Sequence, residues 1–170
     1  MISQARKALV TLALTTLSVP IMFGVAPTGA QTTPATPAAP TATAAKKASI
    51  TIGVASSKYG SIMVDDKGLS LYVFTPDARN VSVCEGQCLV TWPPIMLGKD
   101  DTLANVELTG GLRRSLLGVA MRENGSRQVT YNGRPLYYWF RDAKAGDTLG
   151  QWVGSVWFVM SPDGAPISLR

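Results

Sequence analysis

The chain has 170 residues, of which 16 are basic, 11 are acidic and none is histidine. The absence of histidine excludes Ser-His-Asp and Cys-His catalysis, histidine-ligated haem and the common histidine-based zinc and copper sites. Four basic residues precede residue 48 and all 11 acidic residues follow it, so the net charge of +5 falls to +1 over residues 48–170. A nucleic-acid-binding face needs a basic excess, and we therefore expect no nucleic-acid partner.

The first 30 residues have the features of an export signal. Arg6 and Lys7 precede a largely apolar run over residues 8–26, and small residues end the segment at Ala30. This pattern is typical of a cleaved secretory signal peptide, so we expect residues 1–30 to be removed and the protein to be periplasmic or secreted. An uncleaved leader would anchor the chain, and we expect no other membrane contact.

The next segment predicts a linker, and the rest of the chain predicts one domain. Residues 31–47 are mainly Thr, Pro and Ala, with no large apolar side chain. Such a segment cannot bury enough apolar surface to offset the entropy lost on ordering, so we expect it to be disordered. Residues 48–170 are long enough for a single domain with its own core.

The domain repeats itself at a spacing of 65 residues. This shift, applied without gaps, gives eight identical positions between Gly60 and Trp92. About two would be expected by chance at average composition, and the matches include the rare residues Tyr and Trp. We therefore interpret the domain as an internal duplication, with repeats at about 50–97 and 115–163. The identical pairs are Gly60/Gly125, Ser61/Ser126, Val64/Val129, Gly68/Gly133, Leu71/Leu136, Tyr72/Tyr137, Asp77/Asp142 and Trp92/Trp157.

Turn signals divide each repeat into three short strands. In the second repeat, Asn124-Gly125 and Asn132-Gly133 are hairpin signals on either side of the segment SRQVTY. In the first repeat, Tyr59-Gly60 and the turn ending at Gly68 take the same places. Each repeat is therefore predicted to form an antiparallel β-meander.

The third strand of each meander is apolar on both of its faces. A strand buried on both sides belongs in the middle of a packed assembly, so the two meanders should pack on one another. We predict an all-β domain with minor helical turns, in which two tandem antiparallel β-meander repeats are related by approximate two-fold pseudo-symmetry. The apolar residues are Leu71, Tyr72, Val73 and Phe74 in the first repeat and Leu136, Tyr137, Tyr138, Trp139 and Phe140 in the second.

Four positions in each repeat are candidate site residues, with a structural or a binding role. Asp77 and Asp142 follow the third strands, where a carboxylate can cap the next loop by accepting backbone N–H bonds. The alternative is that they converge on one site for glycoside hydrolysis or calcium binding. The aromatic residues are expected in the core, and the alternative is a sugar-binding or haem-binding cleft. The candidates are Tyr72, Phe74, Asp77 and Trp92, with Tyr137, Trp139, Asp142 and Trp157.

The chain has two cysteines, Cys84 and Cys88, in the loop of the first repeat. In an exported protein such a pair is expected to form a disulfide that closes a tight loop and fixes the turn before Trp92. The alternative is a redox pair, or a copper(I) site made with a methionine such as Met96, because soft sulfur ligands suit that ion. We expect no bound cofactor.

These features resemble the bacterial secreted-repeat family, described as predicted lipoproteins with a Yx(FWY)xxD motif. Tyr72-x-Phe74-x-x-Asp77 and Tyr137-x-Trp139-x-x-Asp142 both fit the motif, and the resemblance covers about residues 52–164. It implies an exported bacterial protein with paired repeats, and it implies no activity. The chain departs from the lipoprotein description because no cysteine precedes Cys84, and Trp152 stands where a smaller residue is expected.

Three functions are compatible with the sequence. The first is an exported, non-catalytic binding or structural module of the cell envelope, which uses its unlike loops to hold a protein, a cell-wall component or a small-molecule ligand. The second is a periplasmic redox or copper-handling accessory protein that uses Cys84 and Cys88. The third is a carboxylate-dependent hydrolase, for which the sequence offers the weakest support.

Overall fold

The computed structural model describes residues 49–169. The predicted signal peptide over residues 1–30 and the predicted linker over residues 31–47 therefore lie outside the described residues. Among residues 49–169, no helix has the length and apolar character needed to span a membrane.

The described chain consists mainly of short strands with a few helical turns, which confirms the all-β fold class. The first repeat contains β1 (Ile50–Ser57), β2 (Gly60–Asp65), β3 (Tyr72–Phe74) and the five-residue helix α1 (Gln87–Thr91). The connection adds β4 (Val106–Leu108), and the second repeat contains β5 (Leu117–Met121), β6 (Arg127–Tyr131), β7 (Arg134–Pro135) and β8 (Trp157–Val159). Short 3₁₀ turns cover Leu103–Asn105, Arg114–Leu116 and Val153–Ser155.

The strands form three small sheets. The second repeat supplies the antiparallel sheet β5-β6-β7, which is the predicted meander. In the first repeat, β1 and β2 form a hairpin, and β4 joins the free edge of β1 in parallel. β3 starts beside β2, where the Leu71 N–H donates to the Met63 carbonyl at 3.0 Å, and then continues as the antiparallel partner of β8. The first meander is thus completed partly by the second repeat.

The segment after each tryptophan also crosses to the other repeat. The Met160 N–H donates to the Leu71 carbonyl at 2.9 Å, and the Ile95 N–H donates to the Leu136 carbonyl at 3.0 Å. Ile95 and Met160 are 65 residues apart, as are Leu71 and Leu136, so the same bond is made in both directions. This reciprocal exchange fits the approximate two-fold relation predicted for the repeats.

The middle strands of the two repeats, β2 and β6, differ by one residue in register from the ungapped 65-residue alignment. Gly53 pairs with Val64, whereas Gly118, its counterpart, pairs with Thr130. Val64 and Val129 are therefore not equivalent, although they are identical residues. The first turn of the second repeat is one residue longer than that of the first repeat, and its second turn is one residue shorter, so the 65-residue spacing is restored before the third strand. Without this compensation, the third strand would turn its side chains to the wrong faces.

The core consists of two clusters on opposite faces of the third strands. One cluster contains Leu71, Val73 and Leu136, and the other contains Tyr72, Phe74, Tyr137 and Trp139. Phe140 differs from the expectation of burial on both faces, because 53% of its surface is exposed. The Phe140 N–H donates to the Thr91 carbonyl, and from this point the chain emerges at the surface.

Replacing Leu136 and Phe140 separately by alanine tests which side chains hold the repeats together. Leu136→Ala should lower the free energy of unfolding by about 2–5 kcal/mol, because it opens a cavity in the core. Phe140→Ala should lower it by less than about 1 kcal/mol, because much of that ring already contacts water. Urea denaturation followed by tryptophan fluorescence measures both, and equal losses would contradict this description of the core.

Candidate functional site

The two repeats meet at a pair of tyrosines in equivalent positions. The Tyr72 N–H donates to the Tyr137 carbonyl at 2.8 Å, and the Tyr137 N–H donates to the Tyr72 carbonyl at 3.0 Å. Both residues are fully buried. Because the two bonds form one antiparallel bridge between equivalent residues, the approximate two-fold axis passes between them.

Each tyrosine hydroxyl bonds the motif aspartate of the other repeat. The Tyr72 hydroxyl donates to Asp142 Oδ2 at 2.6 Å, and the Tyr137 hydroxyl donates to Asp77 Oδ2 at 2.6 Å. Each motif therefore donates one hydrogen bond to the other motif through its tyrosine and accepts one from it through its aspartate. We call this reciprocal set of Tyr72, Asp77, Tyr137 and Asp142 the Tyr–Asp joint.

The second oxygen of each aspartate holds the loop of its own repeat. Asp77 Oδ1 accepts from the Val83 N–H at 2.8 Å, and Asp142 Oδ1 accepts from the Leu149 N–H at 3.0 Å. Each carboxylate thus caps its own loop with one oxygen and meets the opposite tyrosine with the other. The structure gives each aspartate a different tyrosine partner.

Burial controls the protonation of the Tyr–Asp joint. Desolvation raises the pKa of Asp77 and of Asp142 above the usual carboxylate value, although the hydrogen bonds they accept act in the opposite direction. Desolvation also raises the pKa of Tyr72 and of Tyr137 well above the ordinary tyrosine value, and the bonds to the aspartates raise them further. The hydroxyls therefore remain donors over the whole physiological range.

Four aromatic rings form a continuous stack beside the joint. Trp92 and Trp157, which are equivalent residues, stack on each other with centroids 3.8 Å apart and an interplanar angle of 5°. Phe74 stacks on Trp157 at 4.3 Å, and Trp139 lies against Trp92 at 4.2 Å. The stack therefore runs Phe74–Trp157–Trp92–Trp139, and each motif aromatic contacts the tryptophan of the opposite repeat.

The joint tyrosines close the sides of this stack. Tyr72 meets Trp92 edge-on at 5.4 Å, and Tyr137 meets Trp157 edge-on at 5.1 Å. Gly150 lets the second loop approach this surface, because a Cβ on it would lie 2.9 Å from the Tyr72 ring and from Trp92. Its N–H donates to the Tyr72 hydroxyl at 3.2 Å. A side chain at residue 150 would push the loop away from the joint.

Cys84 and Cys88 form a disulfide with Cα atoms 5.4 Å apart. The bridge spans the start of α1, and the Trp92 N–H at the end of α1 donates to the Cys88 carbonyl at 2.7 Å. The disulfide thus fixes the turn that delivers Trp92 to the stack. The alternative copper site with Met96 requires two free thiols, whereas these sulfur atoms are bonded to each other. Among residues 49–169, no group of three or more Cys, Asp or Glu residues is placed to hold a metal ion.

Arg122, at the end of β5, is a buried cation that the sequence interpretation missed. Its side chain is 2% exposed and forms a 2.5 Å ion pair with Glu85, which lies between the two cysteines. It also donates to the Cys84 carbonyl, to Ser82 Oγ at 2.8 Å and to Gln128 Oε1 at 2.6 Å. Through Arg122, the second repeat therefore binds the disulfide loop of the first. The sequence signal for this residue was a single charge in the otherwise apolar segment LLGVAMR.

Ser82 connects Arg122 to the Tyr–Asp joint. Its hydroxyl lies 2.7 Å from the Tyr137 hydroxyl, which in turn donates to Asp77. In the other half of the joint, the Tyr72 hydroxyl receives the Gly150 N–H instead. Both halves thus contain a tyrosine bonded to an aspartate, but a different loop group contacts the tyrosine hydroxyl in each half.

The structure places all eight motif candidates in one cluster at the interface of the repeats, with the disulfide beside it. Trp152 adopts a left-handed backbone with φ 67°, and its ring packs edge-on against Phe158 at 4.8 Å. Its indole N–H donates to the Leu169 carbonyl at 3.0 Å, and Gln151 Nε2 donates to the Ile167 carbonyl at 2.7 Å. The second loop is therefore fastened to the C-terminal segment.

Comparison with known proteins gives one family. A family model described as a secreted repeat of unknown function matches residues 53–96 and 118–161, which together make up just over half of the chain. The two matched segments begin at the equivalent residues of β1 and β5 and end just beyond the two tryptophans. Searches of curated proteins and of solved structures gave no match.

A double-mutant cycle tests the exchange of hydrogen bonds across the joint. Tyr72→Phe and Asp142→Ala remove the two ends of one bond, so their effects on the free energy of unfolding should be non-additive by about 1–3 kcal/mol. The matched control combines Tyr72→Phe with Asp77→Ala, which lies in the other half of the joint. That pair should be additive within about 0.5 kcal/mol, and coupling in the control pair alone would contradict the exchange.

The buried tyrosines predict a loss of stability in alkali. The folded-state pKa of Tyr72, Tyr137 and Tyr138 is raised, chiefly by burial, so their contribution is complete below the unfolded tyrosine value of about 10 and is lost as the pH rises above it. The urea midpoint should therefore fall steeply above pH ~10. Tyr72→Phe removes one titrating group, and its midpoint should fall less steeply with pH than that of the wild type.

Proposed function

This chain belongs to the family of secreted repeats of unknown function, and we propose that it is a non-catalytic exported module that binds a component of the bacterial cell envelope through its two unlike loops. The first loop covers residues 78–91 and carries the disulfide. The second covers residues 143–156 and is rich in glycine. Both leave the Tyr–Asp joint directly after a motif aspartate.

The observation that carries this proposal is the exposure of apolar side chains on and beside the loops. Five of the seven large apolar residues that are exposed among residues 49–169 lie there, each between 50% and 65% exposed. Exposed apolar side chains add little to stability, and apolar side chains grouped on surface loops are typical of contact surfaces. They are Val81, Val83 and Val90 in the first loop, Leu149 in the second, and Phe140 two residues before Asp142.

The anchoring of the loops supports a binding role. Asp77 and Asp142 cap them, Arg122 and the disulfide hold the first, and Gln151 fastens the second to the C-terminal segment. Loops held in one conformation bind with less loss of entropy than free ones. The repeats therefore serve as a rigid support for two surfaces of different composition.

The same contacts weaken the case for a carboxylate-dependent hydrolase. Each aspartate oxygen already accepts a hydrogen bond from a tyrosine or from a loop N–H. A general acid or nucleophile must instead present its carboxyl group to the substrate. We therefore assign Asp77 and Asp142 a structural role within the proposed module.

Binding to isolated cell envelopes tests the proposal. The mature protein should co-sediment with envelopes of its source cells in a saturable manner, and Val83→Ser combined with Val90→Ser should reduce the bound fraction several-fold. Leu169→Ser is the matched control, because Leu169 is 65% exposed but lies outside both loops. The proposal fails if the loop variant, with an unchanged urea midpoint, binds as well as the wild type.

A further inference from the structure

A cleft at the base of the first loop carries two arginines that the Tyr–Asp joint does not use. The cleft has a volume of about 400 Å³ and is lined by Asp77 and Arg79, by the hairpin turn 132–134 and by the turn 164–166. We propose that it binds a small organic anion, whose carboxylate or phosphate group lies between Arg79 and Arg134. This inference rests on the proposed binding function and names a ligand class for its first loop.

The walls of the cleft are fixed by contacts among its three turns. The Asn80 N–H donates to the Gly133 carbonyl at 2.7 Å, and Asn132 Nδ2 donates to the Gly164 carbonyl at 3.1 Å. Gly133 and Gly164 have φ values of 75° and 81° and leave no room for a side chain. A Cβ on Gly133 would lie 2.6 Å from Arg79 Cγ, and one on Gly164 would lie 2.4 Å from Asn132 Cβ. The cleft is therefore a preformed feature of the fold.

The two guanidinium groups are available to a ligand. Within residues 49–169, the half-buried Arg134 side chain makes no hydrogen bond or ion pair, and Arg79 makes one long bond of 3.3 Å to the Asn132 carbonyl. Arg134 does attract Asp77 electrostatically. Each oxygen of Asp77 already accepts a hydrogen bond, however, so this attraction leaves the donors of Arg134 unpaired.

The equivalent place in the other half of the domain lacks the two arginines. A Cβ on Gly68 would lie 2.7 Å from Ala145 Cβ, as one on Gly133 would lie 2.6 Å from Arg79 Cγ, so Ala145 takes the place of Arg79 there. The alignment that matches Gly68 to Gly133 places Leu69 opposite Arg134. Because the fold is built without arginines in one half, it does not require them in the other. The arginine pair is thus free to serve recognition.

Arginine chemistry and the size of the cleft define the ligand class. A guanidinium group presents parallel donors that match the two oxygens of a carboxylate or a phosphate. A volume of about 400 Å³ exceeds what a simple inorganic ion fills and lies within the range of small-molecule sites. Asp77 at the wall disfavours a second negative charge beside it, so one anionic group with a neutral remainder suits the cleft best.

The test is a titration of the mature protein with defined anions, monitored by calorimetry and by NMR shifts of backbone amides. Glycerol 3-phosphate and glycerate represent phosphate and carboxylate ligands with one anionic group each, inorganic phosphate tests for a free ion, and glycerol is the uncharged control. We expect saturable binding of at least one organic anion, with shifts at Gly133 and Gly164 and none with glycerol. Comparable affinity for inorganic phosphate would reduce the site to an ion site and overturn the inference.

Matched variants separate this site from general surface charge. Arg134→Gln and Arg79→Gln should each weaken binding about 10-fold or more, because each removes a charge-assisted contact. Arg141→Gln removes the same charge from a residue that lies against Phe140, outside the cleft, and should bind as the wild type does. Equal affinity of all three variants would overturn the inference.

The envelope-binding assay distinguishes failure of this inference from failure of the proposed function. If anions do not bind but envelope binding still depends on Val83 and Val90, only the cleft assignment is wrong. If envelope binding is independent of those valines while anions bind at Arg79 and Arg134, the assignment of the cleft is supported and the proposed function of the loops is wrong.

Discussion

The structure depends on one exchange: the buried tyrosine hydroxyl of each repeat donates to the aspartate of the other repeat, Asp77 being buried and Asp142 half-buried. A buried hydroxyl without an acceptor, or a buried carboxylate without donors, would cost several kcal/mol. Tyr72 and Tyr137 lie on the two sides of the approximate axis, so each ring reaches the aspartate of the opposite repeat. The folding of one repeat is thereby tied to the presence of the other, and the tryptophan stack and the crossed backbone bonds lie beside this exchange.

Symmetry is retained where the repeats touch and is lost where they face solvent. Trp92 and Trp157 stack on each other, and such stacking requires an aromatic ring from each repeat. This position is therefore the same in both copies. The loops beyond the aspartates meet no such requirement, since each has only to return its chain to a tryptophan. One does so with a disulfide and a buried arginine, and the other with glycines and a bond network to the C-terminal segment. The duplication thus yields a constant interior with two independent surfaces.

The sequence predicted the features that are encoded in residue type and spacing. The duplication, the all-β class and the Cys84–Cys88 disulfide follow from repeated rare residues, from turn signals and from cysteine spacing. The one-residue slip between β2 and β6 was hidden, because two compensating turn lengths leave the 65-residue spacing intact at both ends. The exposure of Phe140 depends on tertiary neighbours, and no local pattern contains that information. The lone charge in LLGVAMR marks Arg122 as unusual, but it does not identify the partners that bury the side chain. The exchange of partners between the motifs was hidden for the same reason.

The reciprocal joint has a consequence for how such a domain could arise. Because each motif contains both the donor and the acceptor that its mate needs, the interface is self-complementary, as in an isologous homodimer. Two separate copies of a single repeat would present matching surfaces to one another, and their association would depend on protein concentration. Joining the copies in one chain replaces that dependence with a high effective concentration of each repeat around the other. Once the partner is always present, either loop is free to diverge without loss of the pairing.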